Sequence, residues 1–170
     1  MNALTYYSYD SPLGTLLLVS NDQHLILIKF GTIQENEKEI TSWAEKHSLP
    51  SKLIDSKEPL KETITQLDQY FNGERKTFSI PYKFHGTPFQ RKVWQALAKI
   101  EYGETCSYLD IAQHIDSPKA VRAVGGANNK NPISIVIPCH RVIGKNGNLI
   151  GYGGGLDKKE YLLTLERAEA

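Results

Sequence analysis

The chain has little that could tie it together covalently. Its two cysteines, Cys106 and Cys139, stand 33 positions apart in 170 residues, so a disulfide framework is not expected. Metal-ligand spacings are missing as well. No CxxC, HxxxH or HExxH pattern occurs, His24, His47, His85 and His114 are scattered, and no metal is expected. No apolar run approaches the roughly 18 residues of a membrane span, and no charged segment leads into an apolar stretch at the N-terminus. Secretion and membrane insertion are therefore unsupported, and a cytoplasmic or nuclear location is the default. No repeat or coiled-coil pattern is present, so a monomer is expected. What is there is ordinary for a globular protein: 40% apolar and 23% charged residues, enough for one domain or two small ones.

The formal charge of +1 hides an asymmetry. Residues 1–85 carry 9 Lys and Arg against 11 Asp and Glu, and residues 86–170 carry 11 against 8. From Ser117 to Leu156 there are Lys119, Arg122, Lys130, Arg141 and Lys145 and no acid. Such a tract suits a polyanionic partner, because each cation placed on a phosphate releases condensed counterions. It also suits a solvated face.

Residues 1–85 read as a small α/β domain. "LTYYSY", "TLLLVS" and "HLILIKF" are short strands separated by turns at "DSPLG" and "NDQ". Ile33 to Lys46 is a charged peripheral helix broken by "SLPSK". Leu60, Ile64, Leu67 and Phe71 mark the buried face of a second helix, and "TFSIPYKF" is a linker or edge strand. Nothing in this half suggests chemistry. The boundary falls near "HGTPF".

Residues 86–170 are mainly helical. Thr87, Pro88 and Gln90 open a helix whose Phe89, Val93, Trp94, Leu97 and Ile100 share a face. Ser107 and Asp110 form a second capping box, with Tyr108, Ile111, Ala112 and Ile115 buried behind it. A tight turn leads to "SPKAVRAVGGANN", where Ser117 and Pro118 open a third, basic helix. Two short helices, the second basic, outline a helix-turn-helix. On a helical wheel Val121, Val124 and Gly125 face inward, while Lys119, Arg122, Ala123, Gly126 and Lys130 face outward. Two glycines in a helix cost about 1 kcal/mol each against alanine. Either they end the helix or they allow close approach of another backbone, as in a groove. Branched residues around "KNGN" predict a β-hairpin over about 140–151, the wing of the motif. "LDKKEYLLTLERA" closes the chain as an amphipathic helix with Leu156, Tyr161, Leu162 and Leu165 available to pack.

"IPCHRVIG" places Cys139 beside His140 and Arg141. A free thiol is only a few per cent thiolate at neutral pH, and either neighbour could stabilise the anion. An unpaired cysteine is also a common buried hydrophobe. If the stretch is extended, Cys139 and His140 point to opposite faces and need a turn or a water between them.

Taken together, "RAVGGANNKNP", "ISIVIPCHRVIG" and "GYGGGLDKKEYLL" resemble the O6-alkylguanine-DNA alkyltransferases, whose signature is Pro-Cys-His-Arg-Val. The resemblance is strong from Thr87 onward and looser before it. It implies a ribonuclease H-like α/β N-terminal domain (1–85), with a small sheet and helix, and a mainly α, winged helix-turn-helix domain (86–170). It also implies irreversible, stoichiometric transfer of a methyl or larger alkyl group from O6 of a flipped guanine in double-stranded DNA to a cysteine, with no cofactor. Flipping the base costs only a few kcal/mol.

By that resemblance Cys139 is the acceptor, His140 takes its proton through a water, and Glu160 orients His140. Asn131 braces the site, and Tyr108 donates toward N3 of the leaving guanine. Arg122 fills the vacated stack, with Ala123, Gly126, Lys119 and Lys130 on the DNA. The carbonyls of Cys139 and Val142, the N–H of Gly153 and the ring of Tyr152 line the base pocket. Asn128, Ser134 and Gly153 depart from some relatives, which leaves larger alkyl groups or O4-alkylthymine open as substrates. The presence of Cys139 argues against a damage-binding alkyltransferase-like protein, in which the acceptor is replaced. A winged-helix regulator would have no use for the Cys139, His140, Glu160 set.

Overall fold

The computed structural model describes the chain except residues 1, 145, 146, 148, 150, 153 and 170 and the side chains of 168 and 169. It divides into two compact units, Met1–His85 and Gly86–Ala170.

In the first unit, strands β1 (Leu4–Ser11), β2 (Gly14–Asn21) and β3 (His24–Phe30) form an antiparallel meander, and β4 (Leu53–Asp55) pairs in parallel with β1. The order is β3-β2-β1-β4. Strand β2 is central and Leu16 to Ser20 are all buried, the pattern of a strand covered on both faces. Helix α1 (Ile33–Lys46) starts at a complete capping box, Thr32 with Glu35, worth about 1 kcal/mol. Its Ile40 and Ala44 join Leu4, Leu17, Val19, Ile26 and Leu27 in one core.

Helix α2 (Lys61–Phe71) buries Thr63, Gln66, Leu67 and Tyr70. Its inner face is rotated from the Ile64 and Phe71 stripe that periodicity predicts. The rotation has polar and aromatic causes: the Gln66 amide accepts from Ser79 N–H at 2.9 Å and donates to Glu62, and Tyr70 packs on Phe78. The proline-bearing stretch runs beside β3 as an edge, held by Leu25 N–H to Pro81 O and Lys83 N–H to Leu25 O.

The second unit holds α3 (Pro88–Leu97), β5 (Cys106–Ser107), α4 (Tyr108–His114), α5 (Val121–Asn129), β6 (Val142–Ile143) and α6 (Leu156–Glu169). Capping boxes at Thr87/Gln90 and Ser107/Asp110 start α3 and α4, where the sequence places them. Helix α5 begins three residues later than expected: Ser117 to Ala120 form a turn, Ala120 N–H bonding Ser117 O at 2.9 Å, and the linker's Asp116 takes a left-handed φ of 59°. Trp94 and Leu97 of α3, Ile111 and Ala112 of α4, Val124 and Ala127 of α5, and Leu162 and Leu163 of α6 are all buried. The Trp94 indole N–H donates to Ala127 O at 2.9 Å and locks α3 to α5.

Gly125 and Gly126 lie inside α5 and do not end it. A Cβ on Gly125 would meet the Tyr108 ring at 3.9 Å, and one on Gly126 would meet nothing within 4 Å. Gly125 thus faces α4 and Gly126 faces outward, as the wheel assigns them. The predicted hairpin falls partly outside the described residues. Where it is described it departs from expectation: Cys139–Arg141 is a turn of 3-10 helix, and Val142–Ile143 pairs in parallel with Cys106–Ser107.

Candidate active site

The site is built around the segment from Asn131 to Val142. Asn131 brackets its start, accepting from Ile133 N–H at 3.1 Å and donating to Ile137 O at 2.8 Å. Inside that bracket Ile135 is buried with φ at 74°, and Val136 N–H closes a three-residue turn on Ser134 O at 2.9 Å. A β-branched residue there is strained, on the order of 1–3 kcal/mol. Pro138 then takes φ −82° and ψ 64°, and Cys139 N–H turns back to Ile137 O at 2.8 Å. The cysteine therefore arrives on a short helical turn.

That turn resolves how Cys139 and His140 share one site. Both are buried, at 4% and 0% exposure. His140 Nε2 lies 2.7 Å from Glu166 Oε2. Burial pushes the Glu166 carboxyl up, and hydrogen bonds from His140 and Arg141 outweigh it and pull it down to about 2. An ionised carboxylate accepts from Nε2–H, so the imidazole carries its hydrogen there and leaves Nδ1 as an acceptor. Nδ1 has no partner among the described residues. Burial also lowers the His140 pKa, ahead of all its contacts, which keeps the ring neutral and able to take a proton.

The orienting carboxylate is Glu166, and the assignment to Glu160 is corrected. Glu160 is exposed. The buried face of α6 carries Lys159, Leu162, Leu163 and Glu166, a stripe at helical spacing with a charge at each end, whereas Leu156 and Tyr161 are 48% and 39% exposed. Arg141 grips the same carboxylate, Nε to Oε1 at 2.8 Å and Nη2 to Oε2 at 2.9 Å, and its Nη1 donates to Ile100 O at 2.6 Å. It is thereby removed from the basic tract and from the thiol.

Burial pushes the Cys139 thiol up to about 11, against a hydrogen bond from the Asn131 side chain, the charge of Lys159 and a backbone hydrogen bond that pull it down. The resting group is a protonated thiol. Lys159 is fully buried and donates to Val142 O at 2.6 Å. Sequence reasoning passed over it, although its place in the α6 stripe was a usable signal. Cys106 is also pushed up to about 11, by burial and then by Asp110.

Tyr108 and Tyr152 both feel the Cys139 charge after burial, and both phenols are raised. The backbone of Gly151, at φ 65°, lies close enough that a Cβ would sit 3.4 Å from the Tyr108 hydroxyl. Tyr108, Asn131, Cys139, His140, Val142 and Tyr152 are thus gathered in one place, with Lys159 and Glu166. Ser134 belongs to the bracketed turn, Asn128 is buried on the inner side of α5, and Gly153 lies outside the described residues. Lys119, Arg122, Ala123, Gly126 and Lys130 are all exposed.

Comparison with known proteins agrees in both units. The family model described as 6-O-methylguanine DNA methyltransferase, ribonuclease-like domain, matches residues 4–84, and the DNA binding domain of the same family matches residues 88–168. A methylated-DNA–protein-cysteine methyltransferase of Methanosarcina acetivorans is 46% identical over 95% of this chain and 97% of its own. The constitutive one of Bacillus subtilis is 44% identical over 95% of this chain and 94% of its own. In solved structures, the Mycobacterium tuberculosis OGT in complex with DNA superposes with a TM-score of 0.84 at 39% identity, covering 98% of this chain and 94% of that one.

Proposed function

The chain belongs to the 6-O-methylguanine DNA methyltransferase family, and from that premise we propose how its own residues carry out the repair. The protein reverses damage directly, moving a methyl or alkyl group from O6 of guanine in duplex DNA to the sulfur of Cys139. The observation that carries the reading is the buried thiol next to a histidine whose Nε2 is fixed on Glu166 and whose Nδ1 is an open acceptor.

In the first step the Cys139 proton passes through a water to His140 Nδ1, and the imidazolium formed faces the Glu166 carboxylate. The thiolate attacks the alkyl carbon, an S–C bond forms and the C–O6 bond breaks. Tyr108 donates toward N3 of the departing guanine. The product thioether has no route back, so each chain acts once. Lys159 holds the Val142 carbonyl and adds positive charge near the sulfur. The high resting pKa of Cys139 protects the thiol until a lesion is seated.

The lesion reaches this buried thiol by leaving the duplex. Arg122 takes its place in the stack, Ala123 and Gly126 let α5 sit deep in the groove, and Lys119 and Lys130 hold phosphates. Val142 and Tyr152 line the base pocket, together with Asn128 and Ser134. Among the described residues no helix is long and apolar enough to cross a membrane, and we place the protein in the cytoplasm. Titrating the protein with excess duplex containing O6-methylguanine tests the reading: methyl loss from DNA stops at one per chain. Continued turnover, or none, contradicts it.

A further inference from the structure

We propose that Asn129 is a specificity-determining residue for the lesion, its side-chain oxygen accepting from the 2-amino group of the guanine whose N3 takes the Tyr108 hydroxyl; this rests on the reading of Cys139 as the acceptor and Tyr108 as the donor to N3. Asn129 is the last residue of α5 and is exposed. Arg122 and Gly126 precede it by seven and three positions, which puts all three on one face of the helix. Asn129 therefore continues the outward stripe of α5.

Gly151 shows what stands beside it. A Cβ on that glycine would lie 3.1 Å from Asn129 Oδ1, 3.5 Å from Asn129 Nδ2 and 3.4 Å from the Tyr108 hydroxyl. The amide and the phenol thus border one small space, which is kept clear because residue 151 has no side chain. Gly151 takes a φ of 65°, in the left-handed region that glycine enters freely. Its carbonyl accepts from Lys159 Nζ at 3.4 Å, and the same ammonium holds Val142 O at 2.6 Å, so this edge is tied to the acceptor segment. Tyr108 in turn is close enough to Cys139 to feel its charge.

The pairing follows from the edge that guanine presents. N3 is an acceptor and the 2-amino group beside it is a donor. A hydroxyl that donates and an amide oxygen that accepts, bordering the same space, are the complement of that edge. The Cys139 and Val142 carbonyls of the base pocket each already accept one hydrogen bond, from Val142 N–H and from Lys159 Nζ. Asn129 adds an acceptor on the side of Tyr108. An alkylated thymine carries no amine, so the contact favours the guanine lesion over O4-alkylthymine. The bonds made and broken in the transfer are unchanged.

The test is single-turnover methyl transfer to the full chain from two duplexes that differ only at the lesion: O6-methylguanine, and O6-methylhypoxanthine, which lacks the 2-amino group. Asn129→Ala is expected to slow transfer from O6-methylguanine by about fivefold and to leave transfer from O6-methylhypoxanthine within about twofold of the wild type. The readout is a ratio within one variant, so any loss of folded protein cancels. Asn129→Asp keeps the oxygen acceptor and retains the wild-type ratio, although its charge slows both duplexes. An equal fall on both duplexes in Asn129→Ala overturns the proposal, because it marks a contact with the sugar–phosphate chain instead of the base. No fall on either duplex, or loss of the ratio in Asn129→Asp, overturns it too. Failure of the underlying reading is distinguishable: wild-type Cys139 would then take up no methyl from either duplex, or Tyr108→Phe would transfer as fast as the wild type.

Discussion

Replacing Glu166 by glutamine removes the charge that holds two neighbours in place. The carboxylate takes three hydrogen bonds, from His140 Nε2 at 2.7 Å and from Arg141 Nε and Nη2 at 2.8 and 2.9 Å. Glutamine offers one acceptor and turns an NH2 toward a donor, and it leaves the Arg141 guanidinium buried without a counter-charge. Breaking a buried pair in this way costs about 3–5 kcal/mol.

The pKa of Glu166 gives a second route to the magnitude. Burial raises the carboxyl, but the bonds from His140 and Arg141 bring it to about 2 from an ordinary 4.5, a difference worth about 3 kcal/mol. Because the folded pKa is the lower one, this stabilisation is complete above about pH 4.5 and is lost as the pH falls toward 2. Urea unfolding across pH is the assay. At pH 7 the Glu166→Gln variant is expected to be less stable by about 3 kcal/mol, which lowers its thermal midpoint by about 6–12 °C. The gap narrows as the pH falls from about 5 to 3. Glu160→Gln, on the exposed side of α6, stays within about 0.5 kcal/mol of the wild type. Equal stability of the wild type and Glu166→Gln at pH 7, a gap that does not change with pH, or an equal loss in Glu160→Gln refutes the reasoning.

Three further outcomes follow from the same geometry. Lys159→Met removes a buried charge that favours the thiolate, so Cys139 titrates higher and transfers more slowly at neutral pH; alkylation by iodoacetamide against pH measures it, and an unchanged titration contradicts the role of Lys159. Gly126→Ala meets no atom within 4 Å and is expected to stabilise α5 by about 0.5–1 kcal/mol while weakening DNA binding, and unchanged affinity would remove Gly126 from the interface. Arg122→Ala is expected to slow repair in duplex DNA far more than reaction with the free base, and equal losses would sink its role in the stack.

How much of this was legible beforehand depends on what each residue's neighbours are. The capping boxes at Thr87 and Ser107 and the outward set Arg122, Ala123 and Gly126 are local features, set by positions three or four apart, and they appear where the periodicity puts them. Glu166 was not legible because its partners are 25 and 26 positions away, and a charged residue inside an apolar stripe reads as solvent-facing. Lys159 was passed over because a lysine reads as solvent-facing, although its place in the α6 stripe is a signal of burial; it bonds Val142 O, 17 positions away. The 3-10 turn at Cys139 escaped because branched residues favour strands, while the Asn131 bracket and the left-handed Ile135 override that preference. In α2 the buried Gln66 shifted the face, a tertiary polar contact that no apolar stripe encodes.

The most direct measurement of the central claim is peptide mass mapping of the chain after exposure to duplex DNA carrying O6-methylguanine. One methyl on the peptide containing Cys139, with the Cys106 peptide unchanged, is the predicted result. A methyl on Cys106, or an unmodified chain still bound to the lesion, would contradict it.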